Sequence, residues 1–141
     1  MQIYKDILND IRDSMPSIPP ETGGILGGKN GQICIWEFDA GYKESGCIYR
    51  PNVDYLNGII AAWINDGFDF MGILHIHFGG SRYLSKGDMI YIEKIMKAMP
   101  GSVRRLYFPL ITQPEKDFIS YKAVRSFWGS IKVKSDQVKV I

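Results

Sequence analysis

The stretch FDFMGILHIHFGGSRYLSKGD, residues 68–88, runs from a predicted strand through a glycine turn toward a predicted helix. Its first half has apolar side chains on both faces, which is typical of a strand buried on both sides of a sheet. Gly79 and Gly80 interrupt this run and favour a sharp turn. Both histidines of the chain, His75 and His77, lie just before that turn. The stretch therefore places two imidazoles at the end of a central strand.

The segments on both sides of this stretch predict further helices and strands. Apolar residues at helical spacing predict helices over residues 3–15, 53–64 and 89–99, the last ended by Pro100-Gly101. Asn30-Gly31, between two apolar runs, is the strongest short signal for a β-hairpin. CIYRP, RRLYFPLI, DFISYKAV and IKVKS predict strands, with TQPEKD as a hairpin loop. This order indicates an α+β or mixed α/β fold, with a mixed sheet flanked by about three helices, in one domain over residues 1–141.

The composition argues against several classes of function. The chain has 141 residues and a net charge of +2, which is too small to favour nucleic acid as a partner. No apolar run approaches the roughly 18 residues of a membrane span, and the charged N-terminus is not typical of a secretory signal. Cys34 and Cys47 therefore indicate reduced thiols in a cytoplasmic protein, and a disulfide between them is the alternative interpretation.

The two histidines can act on one ligand because strand side chains alternate between faces. His75 and His77 project to the same side, about 6.6 Å apart along the backbone, whereas Leu74, Ile76 and Phe78 face the opposite way, into the core. The next helix begins near Ser85, and Asp88 lies in its first turn. Two neutral imidazoles and one carboxylate are a common ligand set for catalytic zinc, with the fourth position left to water.

Simpler interpretations apply to the same residues. Ser85 and Asp88 also fit a capping box at a helix N-terminus. A His-x-His pair in a strand is often a pair of histidines that lie on the surface or have hydrogen-bond partners in the protein. Two histidines on an apolar strand would nevertheless be costly to bury without partners. Glu21, at the start of ETGGILGG, is a candidate general base, but an ordinary exposed residue is an equal alternative. The glycines of this segment suit a tight sheet rather than a phosphate loop.

These residues together resemble the JAMM (MPN+) metalloprotease family. The matching pattern is an upstream glutamate before a Gly-Gly-containing strand, a His-x-His pair, seven intervening residues and Ser-x-x-Asp. Its members here are Glu21, His75, His77, Ser85 and Asp88. ETGGILGG is especially similar to the compact bacterial, JAB-domain members. The resemblance implies a single MPN-like domain with a curved mixed sheet.

The resemblance also implies a mechanism. His75, His77 and Asp88 would bind one Zn²⁺ per chain, with water as the fourth ligand. Glu21 would act as general base and acid, and Ser85 would stabilise the oxyanion. The reaction would be cleavage of an isopeptide or peptide bond after the C-terminal glycine of a ubiquitin-like or sulfur-carrier protein, in a pathway with activating or conjugating enzymes. The alternative is a non-catalytic MPN-type scaffold or a module that binds ubiquitin-like proteins.

Two positions differ from the residues that are usual in the family. Family members usually have serine or threonine between the histidines and proline after them, where this chain has Ile76 and Phe78. On the alternation argument Ile76 faces away from the metal, so Phe78 bears more on substrate specificity. Tyr83, in the adjacent loop, would line a substrate groove or be an ordinary exposed aromatic. We expect Trp36, Trp63 and Trp128 to be buried or half-buried, and Cys47 to be a small buried hydrophobe rather than a ligand.

Overall fold

The computed structural model describes residues 1–42 and 48–141, and within these ranges it has three helices and one nine-stranded sheet. The helices are α1 (Lys5–Ser14), α2 (Val53–Asn65) and α3 (Lys86–Ala98). The strands are β1 (Gln2–Ile3), β2 (Gly23–Lys29), β3 (Gln32–Asp39), β4 (Asp69–Phe78), β5 (Arg105–Tyr107), β6 (Leu110–Gln113), β7 (Phe118–Arg125), β8 (Ile131–Asp136) and β9 (Lys139–Val140). The prediction of a mixed sheet flanked by three helices is confirmed.

The sheet is mixed because its central strand, β4, has neighbours of both directions. The strand order is β5-β7-β6-β4-β2-β3-β1-β9, and β8 pairs with β7. β4 is antiparallel to β2 but parallel to β5 and β6, which follow it after α3. A parallel return of this kind needs a crossover, which α3 provides. The crossover brings the N-terminus of α3 close to the C-terminal end of β4.

The β2–β3 hairpin follows the turn predicted from Asn30-Gly31. Both residues have positive φ, 54° and 75°, as a type I′ hairpin turn requires. The glycines of β2 allow close strand packing: a Cβ built on Gly24 would lie 2.4 Å from the carbonyl oxygen of Glu37. The interpretation of ETGGILGG as a tight sheet segment is therefore confirmed.

β4 is apolar on both faces because helices cover both faces of the sheet. On one face Leu74 and Ile76 are fully buried, in a cluster that includes Leu8 and Ile11 of α1. On the other face Ile73 packs against the separate clusters beneath α2 and α3. β4 is consequently held in place by three hydrophobic clusters, one on one face and two on the other.

Several local predictions need correction. Ile3 lies in β1 rather than in α1, and the short edge strands β1 and β9 were not predicted. RRLYFPLI forms two strands, β5 and β6, separated at Phe108-Pro109, because proline has no N–H for a sheet hydrogen bond. Trp128 is 90% exposed, so the expectation of a buried ring is wrong there, whereas Trp63 is buried.

The CIYRP prediction spans the boundary of the described residues. Residues 48–51 are not in a strand, so that part of the prediction is wrong, while Cys47 lies outside the described residues. Cys34 is a free, partly buried cysteine. The TQPEKD loop does connect an antiparallel pair, β6 and β7. In the described ranges no helix combines the length and the apolar character that a membrane span needs.

Candidate metal centre

His75, His77 and Asp88 meet where the end of β4 approaches the start of α3. The two histidines alternate with buried Leu74 and Ile76, so their rings share the face of β4 that is turned toward α3. Asp88 is the third residue of α3, after a turn in which Gly79 and Gly80 both have positive φ. The turn returns the chain so that the first turn of α3 faces both rings.

The three side chains are close enough to share one ion. The Nε2 atoms of His75 and His77 are 2.9 Å apart. Oδ1 of Asp88 is 3.2 Å from Nε2 of His75, and its Oδ2 is 3.2 Å from Nε2 of His77. Tetrahedral zinc with ligands at 2.0–2.1 Å places neighbouring ligand atoms about 3.3 Å apart. The group therefore fits a small divalent cation, and the three residues can hold a metal ion.

The electrostatics of the group follow from this closeness. Burial alone lowers the pKa of His77, but the hydrogen bond and charge of Asp88, together with the charge of Glu21, raise it above its ordinary value. Burial likewise raises the pKa of Asp88, but its hydrogen bonds with His75 and His77 hold that pKa well below the usual range. Asp88 therefore stays an anion at neutral pH, as a metal ligand must.

Glu21 and Ser85 line the same cavity as the three candidate ligands, and its volume is about 570 Å³. Glu21 lies two residues before β2, whose first residue, Gly23, is the register partner of His75. Its carboxylate accepts a hydrogen bond from the backbone N–H of Tyr49 at 3.4 Å. The fold thus brings together all five residues of the sequence pattern, including the distant Glu21.

Ser85 begins α3 with both bonds of a capping box. Its Oγ accepts a hydrogen bond from the Asp88 backbone N–H at 3.0 Å, and the Asp88 side chain accepts one from the Ser85 backbone N–H at 2.7 Å. Because Oγ acts as an acceptor in the cap, its hydroxyl hydrogen stays available to donate to a further group. Ser85 can therefore cap the helix and donate into the cavity at once.

The remaining sequence expectations have mixed outcomes. Ile76 is fully buried on the face of β4 away from the ligands. Phe78 packs against that same core and also lines the cavity, so it contacts both the core and the candidate site. Tyr83 is 77% exposed and is not among the residues that line the cavity. The simpler interpretation, an exposed loop aromatic, describes Tyr83.

Sequence reasoning missed the residues that pack behind the site. Asp39, at the end of β3, is buried, and its carboxylate accepts a hydrogen bond from the Tyr49 hydroxyl at 2.8 Å. Burial, with the charge and hydrogen bond of Asp39, holds the pKa of Tyr49 far above its ordinary value, so Tyr49 is a neutral donor. The Tyr49 ring lies nearly parallel to that of His75, with 6.4 Å between their centroids. No motif marks this pair, because Asp39 ends β3 and Tyr49 lies ten residues further along the chain, so that only the folded structure shows their contact.

The fold that carries this candidate metal centre is MPN-like, as its similarity to solved structures shows. The structure is similar to that of a JAB1/MPN domain protein from Archaeoglobus fulgidus, with a TM-score of 0.55, 15% identity and coverage of 100% of this chain and 99% of that one. It is also similar to the solution structure of a protein from Desulfitobacterium hafniense, with a TM-score of 0.67, 14% identity and coverage of 99% and 92%. No family model and no curated protein matches the sequence. The likeness therefore establishes the fold.

Proposed function

We propose that the protein is a zinc-dependent peptidase or isopeptidase that cleaves after the C-terminal glycine of a ubiquitin-like or sulfur-carrier protein. One observation carries this proposal: two imidazoles and a carboxylate converge in a cavity that is also lined by Glu21 and Ser85. A structural metal ion would need neither Glu21 nor Ser85 nearby. A hydrolytic site, in contrast, needs a proton acceptor and a hydrogen-bond donor for the oxyanion beside its metal.

Each of the five residues of the sequence pattern has a chemical task in this proposal. His75, His77 and Asp88 would hold the ion, and a bound zinc ion supplies Lewis acidity and lowers the pKa of water to about 7. Glu21 would accept the proton of the attacking water and return it to the departing amine. The Ser85 hydroxyl would donate to the oxygen of the attacked carbonyl as negative charge develops on it.

The substrate class rests on the resemblance of the five-residue pattern to the JAMM family. The lining of the cavity agrees with an extended peptide tail in one respect: it includes the apolar or aromatic residues Pro51, Tyr91 and Phe108 as well as the polar groups. We further propose a cytoplasmic protein that acts beside activating or conjugating enzymes, with neither nucleic acid nor a membrane as its partner. Co-purification with such enzymes would test this setting.

The decisive experiment measures metal content and cleavage separately. Purified protein should bind about one zinc ion per chain, and should cleave a ubiquitin-like fusion only without chelator. Glu21→Gln should keep zinc and lose cleavage, while His77→Ala should lose both. Glu115→Gln, at an exposed glutamate in the β6–β7 turn, is the matched control and should change neither.

Four results would each reject part of the proposal. A protein that stays metal-free in excess zinc has no zinc site, and an active His77→Ala variant would remove the ligand assignment altogether. Zinc binding without cleavage of any ubiquitin-like or sulfur-carrier fusion would instead identify a non-catalytic scaffold. Unchanged turnover in Glu21→Gln would remove Glu21 from the mechanism.

A further inference from the structure

Asp39 is a buried carboxylate that ties together three points of the chain. It is 4% exposed and lies at the end of β3. Oδ1 accepts from the backbone N–H of Gly41 at 3.0 Å, and Oδ2 accepts from the Tyr49 hydroxyl at 2.8 Å and the backbone N–H of Asn52 at 2.9 Å. A buried carboxylate needs such donors to offset its lost hydration. Residues 41, 49 and 52 are therefore held around a single anion.

The Tyr49 ring is held in place by steric contacts as well as by this bond. A Cβ built on Gly23 would lie 2.5 Å from the ring, and one built on Gly41 would lie 3.1 Å from it. The ring therefore needs glycine at position 23, and at Gly41 a Cβ would push it by a few tenths of an ångström. Gly41 also has a φ of 75°, which favours glycine. Because Gly23 is the register partner of His75, a ring placed over Gly23 lies directly beside the His75 imidazole.

Tyr49 contacts two groups of the candidate site from this position. Its ring stacks on His75 with an interplanar angle of 17°, which is a favourable offset arrangement for two aromatic rings. Its backbone N–H donates to Oε2 of Glu21. One residue thus touches both a candidate ligand and the candidate base, and it is itself fixed by Asp39.

We propose that Asp39 and Tyr49 form a positioning pair, which holds the His75 ring and the Glu21 carboxylate in the orientation that metal binding and catalysis require. This inference rests on the proposed function for its catalytic part. Neither residue is a ligand or a proton carrier in it. Partners of this kind, which orient a metal ligand without binding the metal, typically change metal affinity or activity about 10- to 100-fold when they are removed.

Tyr49→Phe in the full chain is the sharpest test, because it removes one hydroxyl and keeps the ring. Tyr55→Phe is the matched control: the Tyr55 hydroxyl also bonds a carboxylate of β3, that of Glu37, but Tyr55 does not line the cavity. Tyr49→Phe should weaken zinc binding about 10-fold or more in competition with a chelator, and should alter the visible spectrum of the Co²⁺-loaded protein. It should lower kcat with little change in KM. Tyr55→Phe should change none of these.

A readout without metal separates this inference from the proposed function. The chain has only two histidines, so NMR of the metal-free protein resolves the imidazole of His75, whose signals should move or broaden in Tyr49→Phe and not in Tyr55→Phe. If those signals and the zinc affinity respond while wild-type protein cleaves nothing, the pair stands and the peptidase proposal fails. If Tyr49→Phe matches wild-type protein in His75 signals, zinc affinity and kcat, the positioning pair is refuted. An equal loss in Tyr55→Phe would refute it as well.

Discussion

Ser85→Ala removes two contributions of one hydroxyl, and the structure predicts a separate magnitude for each. The first is the cap of α3, in which Oγ accepts from the Asp88 backbone N–H at 3.0 Å. Loss of such a cap lowers the free energy of unfolding by about 1 kcal/mol, or about 3 °C in melting temperature for a domain of this size. The second is the proposed donation to the oxyanion, whose loss lowers kcat about 100- to 1000-fold.

Ser85→Gly separates these two contributions. Glycine is a good N-cap residue that differs from serine there by only a few tenths of a kcal/mol, yet it has no hydroxyl to donate. Ser85→Thr is the converse control, because threonine keeps both the cap and the hydroxyl. We therefore expect glycine to resemble serine in stability and alanine in kcat, and threonine to resemble serine in both.

Thermal unfolding, zinc affinity and cleavage rate should be measured on all four proteins. The alternative explanation is that loss of the cap frays α3 and displaces Asp88, which would weaken zinc binding in proportion to the loss of stability. In that case Ser85→Gly would bind zinc and cleave substrate nearly as well as wild-type protein. That result would refute the oxyanion role and leave Ser85 as a helix cap.

Two further predictions concern the metal-free protein and the core. The fold raises the pKa of His77 and lowers that of Asp88. Their interaction therefore stabilises the metal-free protein fully between about pH 4 and pH 6.5. This stabilisation is lost as the pH rises through the raised pKa of His77. The difference in melting temperature between wild-type protein and His77→Ala, both in chelator, should therefore shrink from about pH 6 to pH 9; a difference that grows would contradict the raised pKa. Ile76→Ala, at a fully buried side chain, should lower the free energy of unfolding in urea by about 2–5 kcal/mol. Ile64→Ala, at a residue that is 61% exposed, should stay within about 0.5 kcal/mol of wild-type protein, and equal losses would show that Ile76 is not a core residue.

Much of the fold could be predicted because its long elements carry strong local signals. The hairpin at Asn30-Gly31, the helix α2 and the doubly buried β4 all follow from periodicity and turn chemistry. The two-residue strands β1 and β9 could not be predicted, because each consists of a few hydrogen bonds to a partner elsewhere in the chain. Trp128 shows a related limit, since a large apolar ring at a turn between two strands has no neighbouring element to cover it.

The candidate ligands could be predicted because they are close in sequence, whereas the groups around them are not. Strand alternation and one turn suffice to bring His75, His77 and Asp88 together. Asp39 comes to the site through the pairing of β3 with β2 and of β2 with β4, and Tyr49 contacts it by a hydrogen bond, none of which a local pattern encodes. Glu21 is an intermediate case: the sequence offered it as a candidate base without any indication of its position, and only the pairing of β2 with β4 brings it near His77.

Ile76 differs from the residue usual in the JAMM pattern, yet the structure places it away from the candidate ligands. Its side chain projects between those of the two histidines but on the other face of β4, where it is fully buried in the cluster that includes Leu8 and Ile11 of α1. An apolar residue there strengthens the packing that holds the strand, and so the spacing of the two imidazoles. Phe78 differs, because it contacts both the core and the cavity. If the proposed function holds, substitutions at Phe78 should therefore alter substrate preference, whereas substitutions at Ile76 should act through stability.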